Sequence, residues 1–322
     1  MSGIGVVLNP RSRRNLRDPR AATRLSRTLG DHGVVREARS IDELHRIAED
    51  FQRLEIDVLG ISGGDGTNHV TITGFLNVYR GETLPHIAFL RGGTMNTVAN
   101  SVGVARGRPE GLLGRLIRAY AERASRPLAN VERFVMRVGD HYGFLFGTGV
   151  VHGFLAEYYR GGDPTPLVAA KTLLRGVGST LVGGETIRRM ARPFDGTVTV
   201  DDPSAWTLGG ERWDERAFLA VAAGTIDQIG LGFRPFHRYA ERDAAFHMLG
   251  ITTSPLGFVR DMPRIWRAEP MRPGKTLEAV AASAVIESRD GVMRYMIDGD
   301  LHETRGAVRL GIGPCVKIVV DT

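Results

Sequence analysis

Short blocks of apolar residues, each followed by a polar loop and then by apolar residues at helical spacing, fill the first third of the chain. Residues 3–9 (GIGVVLN) form an apolar run of the length expected for a buried parallel strand. A helical stretch is expected near 19–30. Ser40 and Glu43 have capping-box spacing, with Ser40 as N-cap. Behind them Ile41, Leu44, Ile47, Ala48, Phe51 and Leu54 recur on one helical face. The pattern then repeats twice. A strand at 56–61 leads into SGGDGT and a helix to about 79; a strand at 86–90 leads into RGGTMN and a helix to about 102. A last helix near 109–123 closes the region. Such alternation predicts an α/β domain of three layers, with a mostly parallel sheet between helices.

The texture changes after about residue 133. Runs at 134–138, 142–147, 197–201, 218–224, 245–251, 277–286, 292–297, 307–312 and 316–320 read as strands, many separated by Gly and Asp clusters. A helical insertion is expected at 166–190. The sequence thus predicts an α/β domain over 1–130 and a mainly antiparallel β domain over 131–322.

Composition narrows the classes. The chain has 322 residues, 42% of them hydrophobic and 24% charged, as in folded proteins. The formal net charge of +6 is mostly arginine and favours anionic partners such as nucleotide phosphates or an acidic membrane surface. No aromatic-basic nucleic-acid module accompanies it, so no nucleic-acid partner is expected. A single cysteine, Cys315, excludes an internal disulfide, and its apolar surroundings predict a buried core thiol. The nine histidines show no metal-ligand spacing. The first residues do not read as a signal peptide, and no run is long enough to span a bilayer. The expected location is cytoplasmic, with room for peripheral attachment to the inner face of the membrane.

Ligands of parallel sheets bind at the loops that leave the strand C-termini. The unusual residues of this chain sit in those loops. In Ser62-Gly63-Gly64-Asp65-Gly66-Thr67 the glycines permit close backbone approach, the amides entering the next helix suit a phosphate, and Thr67 adds a hydroxyl. Asp65 is a poor phosphate contact, which points to a metal ion or to proton transfer. Gly92-Gly93-Thr94-Met95-Asn96 repeats the arrangement, with Thr94 and Asn96 able to bond a nucleotide. The first loop, Asn9-Pro10-Arg11-Ser12-Arg13-Arg14-Asn15, offers three guanidinium groups for an oligophosphate. Each of these also reads as an ordinary turn when taken alone. Near the C-terminus, Asp298-Gly299 has hairpin-turn chemistry, and Asp298 is a candidate proton acceptor if the turn faces substrate.

Together these segments resemble the diacylglycerol kinase catalytic-domain family, which is related to NAD kinases and phosphofructokinases. Asn9, Pro10 and Ser12 resemble its Asn-Pro-x-Ser/Ala-Gly segment. Gly63, Gly64, Asp65, Gly66 and Thr67 match its most diagnostic motif, and Gly93, Thr94 and Asn96 its Gly-Thr-x-Asn segment. Asp298-Gly299-Asp300 resembles its Asp-Gly-Glu motif. Departures are Arg13 for Gly, Arg91 for Pro, Thr97 for Asp, Asp300 for Glu and Ala244 for Gly.

The resemblance implies ATP bound with Mg²⁺ in a cleft between two domains, and phosphorylation of a lipid hydroxyl on a diacylglycerol-like or sphingoid acceptor. It implies nucleotide contacts from Asn9, Pro10, Ser12, Arg13, Gly63, Gly64, Asp65, Gly66, Thr67, Gly93, Thr94 and Asn96. Asp65 is expected to hold magnesium and, with Asp298, to be catalytic. Which of the two is the general base stays open at this point. An NAD or soluble-polyol kinase, or a catalytically weak lipid- or nucleotide-binding homologue, is the alternative. Leu167, Leu173 and Leu174 with Lys171 and Arg175, and Leu256, Phe258 and Trp266 with Arg260 and Arg267, are mixtures suited to an anionic bilayer. A homodimer is left open.

Overall fold

The computed structural model of the protein describes residues 3–160, 165–201 and 211–320. The chain forms two compact units, one from the residues up to Arg133 and from Pro314 onward, the other from Phe134 to Gly313.

The first unit runs β1 (Ile4–Leu8), α1 (Arg13–Leu16), α2 (Ala21–Leu29), β2 (Gly33–Glu37), α3 (Ile41–Arg53), β3 (Val58–Ser62), α4 (Asp65–Tyr79), β4 (His86–Phe89), α5 (Thr97–Ser101) and α6 (Pro109–Ala121). Its parallel sheet has the order β2-β1-β3-β4, and the end of the last strand of the chain pairs with β4 at Ile318. Alternation in β1 puts helices on both faces. Ile4, Val6 and Leu8 pack with Leu25 and Leu29 of α2 and Leu112, Leu113 and Leu116 of α6. Between them Gly5 faces the ring of Phe51 in α3, which meets Phe75 of α4 edge-on at 6.0 Å. Ser40 caps α3 as the spacing predicts, its Oγ accepting from Glu43 N at 3.2 Å. The return arm differs from a capping box, because the Glu43 carboxylate accepts from the amide of Arg39. The register is what positions the chemistry: Leu8 pairs with Ser62 and Ile61 with Phe89, so β1, β3 and β4 end side by side.

β5 (Asn130–Val138) leads into the second unit. There follow β6 (His141–Gly143), β7 (Leu145–Thr148), α7 (Val150–Arg160), α8 (Pro166–Val182), α9 (Glu185–Met190), β8 (Phe194–Asp201), β9 (Glu211–Phe218), β10 (Ala220–Gly224), β11 (Phe246–Ile251), α10 (Pro255–Trp266), β12 (Thr276–Ala281), β13 (Ser283–Ser288), β14 (Val292–Ile297), β15 (Asp300–Arg305) and β16 (Val308–Val319). One antiparallel sheet has the order β12-β11-β10-β7-β14-β15; another places β9, β8, β13 and the first half of β16 side by side. Inward side chains such as Phe146, Trp213, Phe218, Phe246 and Ile286 share one core.

The fold class is therefore the one the patterning predicts, an α/β domain followed by a mainly antiparallel one. Several boundaries differ. The apolar run 277–286 is two strands, β12 and β13, that belong to different sheets. The run 142–147 is interrupted at Phe144, between β6 and β7. The runs 307–312 and 316–320 join into β16 through Pro314. Cys315 is exposed, not buried: Val316 and Ile318 point inward on β16, and Cys315 lies on the opposite face. Among the described residues, no helix is long and apolar enough to cross a membrane.

Candidate functional site

The three loops that leave β1, β3 and β4 are tied into one structure. The amide of Asn9 donates to the carbonyl of Ser62 at 3.2 Å. Its side-chain amide donates to Thr67 Oγ1 at 3.0 Å, while its Oδ1 accepts from the amide of Arg11 at 2.9 Å. Asn15, buried at the start of the next helix, donates to the carbonyls of Asn9 (2.8 Å) and Ser62 (3.2 Å). The first loop reaches the third through Arg13 Nη1, 3.4 Å from Thr94 Oγ1. Pro10 and Ser12 lie in the turn between these anchors, where the amide of Ser12 donates to the Asn9 carbonyl.

The second and third loops meet backbone to backbone. A Cβ on Gly93 would lie 2.2 Å from the Cα of Gly64, and one on Gly92 would lie 2.8 Å from the nitrogen of Gly63. Neither distance is possible without displacing a main chain. The glycine pairs thus serve first to bring two loops together, a requirement that the sequence alone does not separate from close approach to a ligand. Gly93→Ala should cost about 1–3 kcal/mol of stability. Gly111→Ala, in α6 with open space around it, should instead add about 0.5–1 kcal/mol. Denaturant melts of the two variants check this.

Asp65 opens α4, and its Oδ1 accepts from the amide of Val98 at 3.3 Å. The amide and hydroxyl of Thr97 also bond to this carboxylate. Asp65 therefore holds the first turn of α5, and Thr97, where the related family carries an acid, is the residue that meets it. Burial pushes the Asp65 carboxyl above the usual carboxylate range; those hydrogen bonds and the charge of Arg91 pull the other way. Gly66 lies within the same helical turn. Asn96, at φ 49°, closes its own loop: its Oδ1 accepts from the amide of Gly93, and its Nδ2 donates to the Gly93 carbonyl at 3.0 Å. Arg91 is not turned toward a phosphate. It is buried, and it donates to Asn100 Oδ1 at 2.8 Å and to the carbonyl of Val104.

What remains for a ligand is distinctive. Ser12 Oγ and Ser62 Oγ are buried and have no hydrogen-bond partner among the described residues. Ser12 directly precedes Arg13 and Arg14, and Ser62 ends β3, where its carbonyl is held by Asn9 and Asn15. Buried hydroxyls of this kind are costly unless something else pairs them. The nucleotide-site residues expected from sequence thus lie in one interlocked group. Asn15 belongs with them as a clasp, and its sequence signal was only its place in the first loop.

Asp298 lies in the second unit, at the turn between β14 and β15. Asp298 and Gly299 both have positive φ (45° and 93°), the geometry of a two-residue hairpin turn. The carboxylate of Asp298 is 2% exposed and points into the break between β6 and β7. Its Oδ1 accepts from the amides of Phe144 (3.0 Å) and Leu145 (2.8 Å), and its Oδ2 lies 3.1 Å from the Phe144 nitrogen. Asp298 therefore satisfies the backbone where β6 gives way to β7. Asp300, at the other end of the turn, is half-buried, and burial raises its carboxyl above the usual range, against the pull of His302 and His141. Asp300 is thus a second candidate proton acceptor at this turn, beside Asp298.

Residues 3–126 match the family model of the diacylglycerol kinase catalytic domain. No curated protein matches the sequence significantly. Among solved structures the chain is similar to a diacylglycerol kinase from Bacillus anthracis, with TM-score 0.61, 14% identity, and coverage of 99% of this chain and 96% of that one. It is also similar to a candidate diacylglycerol kinase of the same organism, with TM-score 0.67, 13% identity, and coverage of 99% and 96%. At such identities the likeness establishes a shared fold, while the family match covers the three interlocked loops. The likeness to the diacylglycerol kinase catalytic domain is therefore carried by residues 3–126, the stretch that holds all three interlocked loops.

Proposed function

We propose that the protein transfers the terminal phosphoryl group of ATP to a hydroxyl group of a lipid, with a diacylglycerol-like or sphingoid acceptor. The observation that carries this reading is the interlocked loop group, with its buried unpartnered hydroxyls on Ser12 and Ser62 and with Arg13 reaching across to Thr94. Phosphoryl transfer asks a protein mainly for positioning and charge neutralisation. In this reading the first loop and Gly63–Thr67 hold the phosphates, and Thr94 and Asn96 border the nucleoside. Asp65, within the phosphate loops, would hold the ion that accompanies the phosphates, and a carboxylate of the 298–300 turn takes the acceptor proton. Asp298 is the turn carboxylate that the motif makes a candidate, and its bonds to two amides favour Asp300 for the acceptor hydroxyl. Among 9–15, 62–67 and 91–97, Asp65 is the sole carboxylate. That donor set fits a magnesium ion carried mostly by phosphate oxygens and water, which needs only one or two protein carboxylates. Such an ion, when bound, neutralises charge on the transferring group.

A lipid acceptor is supported by the exposed surfaces of the second unit. Leu167 and Leu174 on α8 are 64% and 69% exposed, beside exposed Lys171 and Arg175; Trp266 at the end of α10 is 60% exposed, beside Arg267. Apolar tips among cations suit an anionic bilayer. The test is transfer from labelled ATP to diacylglycerol, a sphingoid base, NAD and a soluble polyol side by side. Lipid should be the acceptor, with faster transfer in anionic than in neutral vesicles. Labelling of NAD or the polyol alone would overturn the lipid assignment. A catalytically weak binding homologue is the second reading, favoured by the engagement of Asp65 and Asp298 with backbone amides. It predicts ATP binding with transfer to none of the four acceptors.

A further inference from the structure

Three side chains that phosphoryl transfer does not use come together in the second unit. His247 lies on β11 and Glu278 on β12. The register pairs His247 with Val280 and Leu249 with Glu278, so His247 and Glu278 are diagonal neighbours on one face of the sheet. His237 arrives from the connection between β10 and β11. The nearest ligand atoms of the three lie within 4.8 Å of one another. Glu278 Oε2 is 3.5 Å from His247 Nε2 and 3.7 Å from His237 Nε2.

These separations are informative. A charge-assisted hydrogen bond would close to about 2.7–2.9 Å. Two ligands of one tetrahedral ion, each at about 2.0–2.1 Å from it, stand roughly 3.3–3.4 Å apart. The carboxylate oxygen thus faces both rings at ligand spacing and forms a close bond with neither. The His247 side chain is wholly buried, and its Nε2 makes no close hydrogen bond, the Glu278 carboxylate 3.5 Å away being the group it faces. His237 Nδ1 lies 3.3 Å from the Pro235 carbonyl, an arrangement in which Nδ1–H donates and the lone pair of Nε2 faces the cluster. One contact opposes the arrangement: the Arg238 amide points at His247 Nδ1 at 3.4 Å. A ring ligating through Nε2 carries its proton on Nδ1, so this long contact has to open when the ion binds.

We propose that His237, His247 and Glu278 bind one divalent transition-metal ion of the zinc class. Two imidazoles and one carboxylate suit such an ion and not magnesium or calcium, which take oxygen ligands. Three protein ligands leave a position for water, and the partial exposure of His237 and Glu278 (19% and 20%) gives it access. The ion fastens the connection carrying His237 to β11 and β12. The inference stands independently of the kinase reading.

The experiment uses tag-free full-length protein stripped with a chelator and titrated with Zn²⁺ against a chromophoric competitor, and with Co²⁺ in the visible range. The expected result is one equivalent of Zn²⁺, a raised melting temperature and the d–d bands of low-coordinate Co²⁺, with no response to Mg²⁺. His237→Ala and the isosteric Glu278→Gln, each checked for native circular dichroism, should weaken Zn²⁺ binding at least about 100-fold. Absence of stoichiometric Zn²⁺ binding by the wild-type chain overturns the proposal. So does Zn²⁺ binding that both variants retain unchanged, or an equal melting shift with Mg²⁺.

Discussion

Asp65→Asn is expected to lower phosphoryl transfer by about 100-fold or more while leaving the fold intact. A group that fixes the charge stabilisation of the transferring phosphoryl group is worth roughly 10²–10³-fold. The amide is isosteric, and its oxygen keeps the bond from Val98 N to the present Oδ1. The charge at the start of α5 is lost, a favourable helix-terminus interaction worth about 0.3–1 kcal/mol. In partial return, the variant no longer buries a carboxylate whose ionisation is already opposed by desolvation. The new NH₂ group also faces a Thr97 donor, so a denaturant melt should fall by about 1–2 kcal/mol with the protein still folded. The diagnostic result is therefore a split, with turnover lost and the fold kept. Wild-type turnover in this variant would reduce Asp65 to a clasp between the second and third loops, and the mechanism proposed for it would be wrong.

The loops were legible in sequence because their signals are local. A buried strand, a glycine pair and a hydroxyl residue before a helix all fall within ten residues, and the capping of α3 by Ser40 is of the same kind. Contacts that cross the chain were not legible. Nothing near residue 298 says that its carboxylate will be spent on the amides of Phe144 and Leu145, and nothing near 144 says that β6 and β7 will part there to receive it. The same holds for Gly64 against Gly93, and for His237, His247 and Glu278, whose association depends on the pairing of β11 with β12. Cys315 departs from its expectation for a different reason. Residue chemistry suggests what a side chain can do, but the face it occupies on a strand or loop decides what it meets. An apolar run does not reveal that face, since strand alternation sends Cys315 outward beside the buried Val316.

The hairpin between β14 and β15 provides a second large effect, and one that separates two adjacent carboxylates. Asp298→Asn should cost about 1–3 kcal/mol of stability. Its carboxylate accepts from two amides in a site that is 2% exposed. An Asn oxygen can keep the Leu145 bond, but the new NH₂ group then faces the Phe144 N–H, donor against donor, with no water to relieve either. Asp300→Asn should do the opposite. This carboxylate is half-buried, its basicity is raised by desolvation, and removing its charge relieves that cost. Its melt should be near wild type, and its turnover with a lipid acceptor should fall by about 10²-fold or more, as for loss of a general base. Measuring melting and turnover on both variants assigns the base. A stable Asp298→Asn protein without activity, beside an active Asp300→Asn protein, would return the proton acceptor to Asp298. It would also mean that the amides of Phe144 and Leu145 orient that carboxylate for chemistry and do more than satisfy a broken strand.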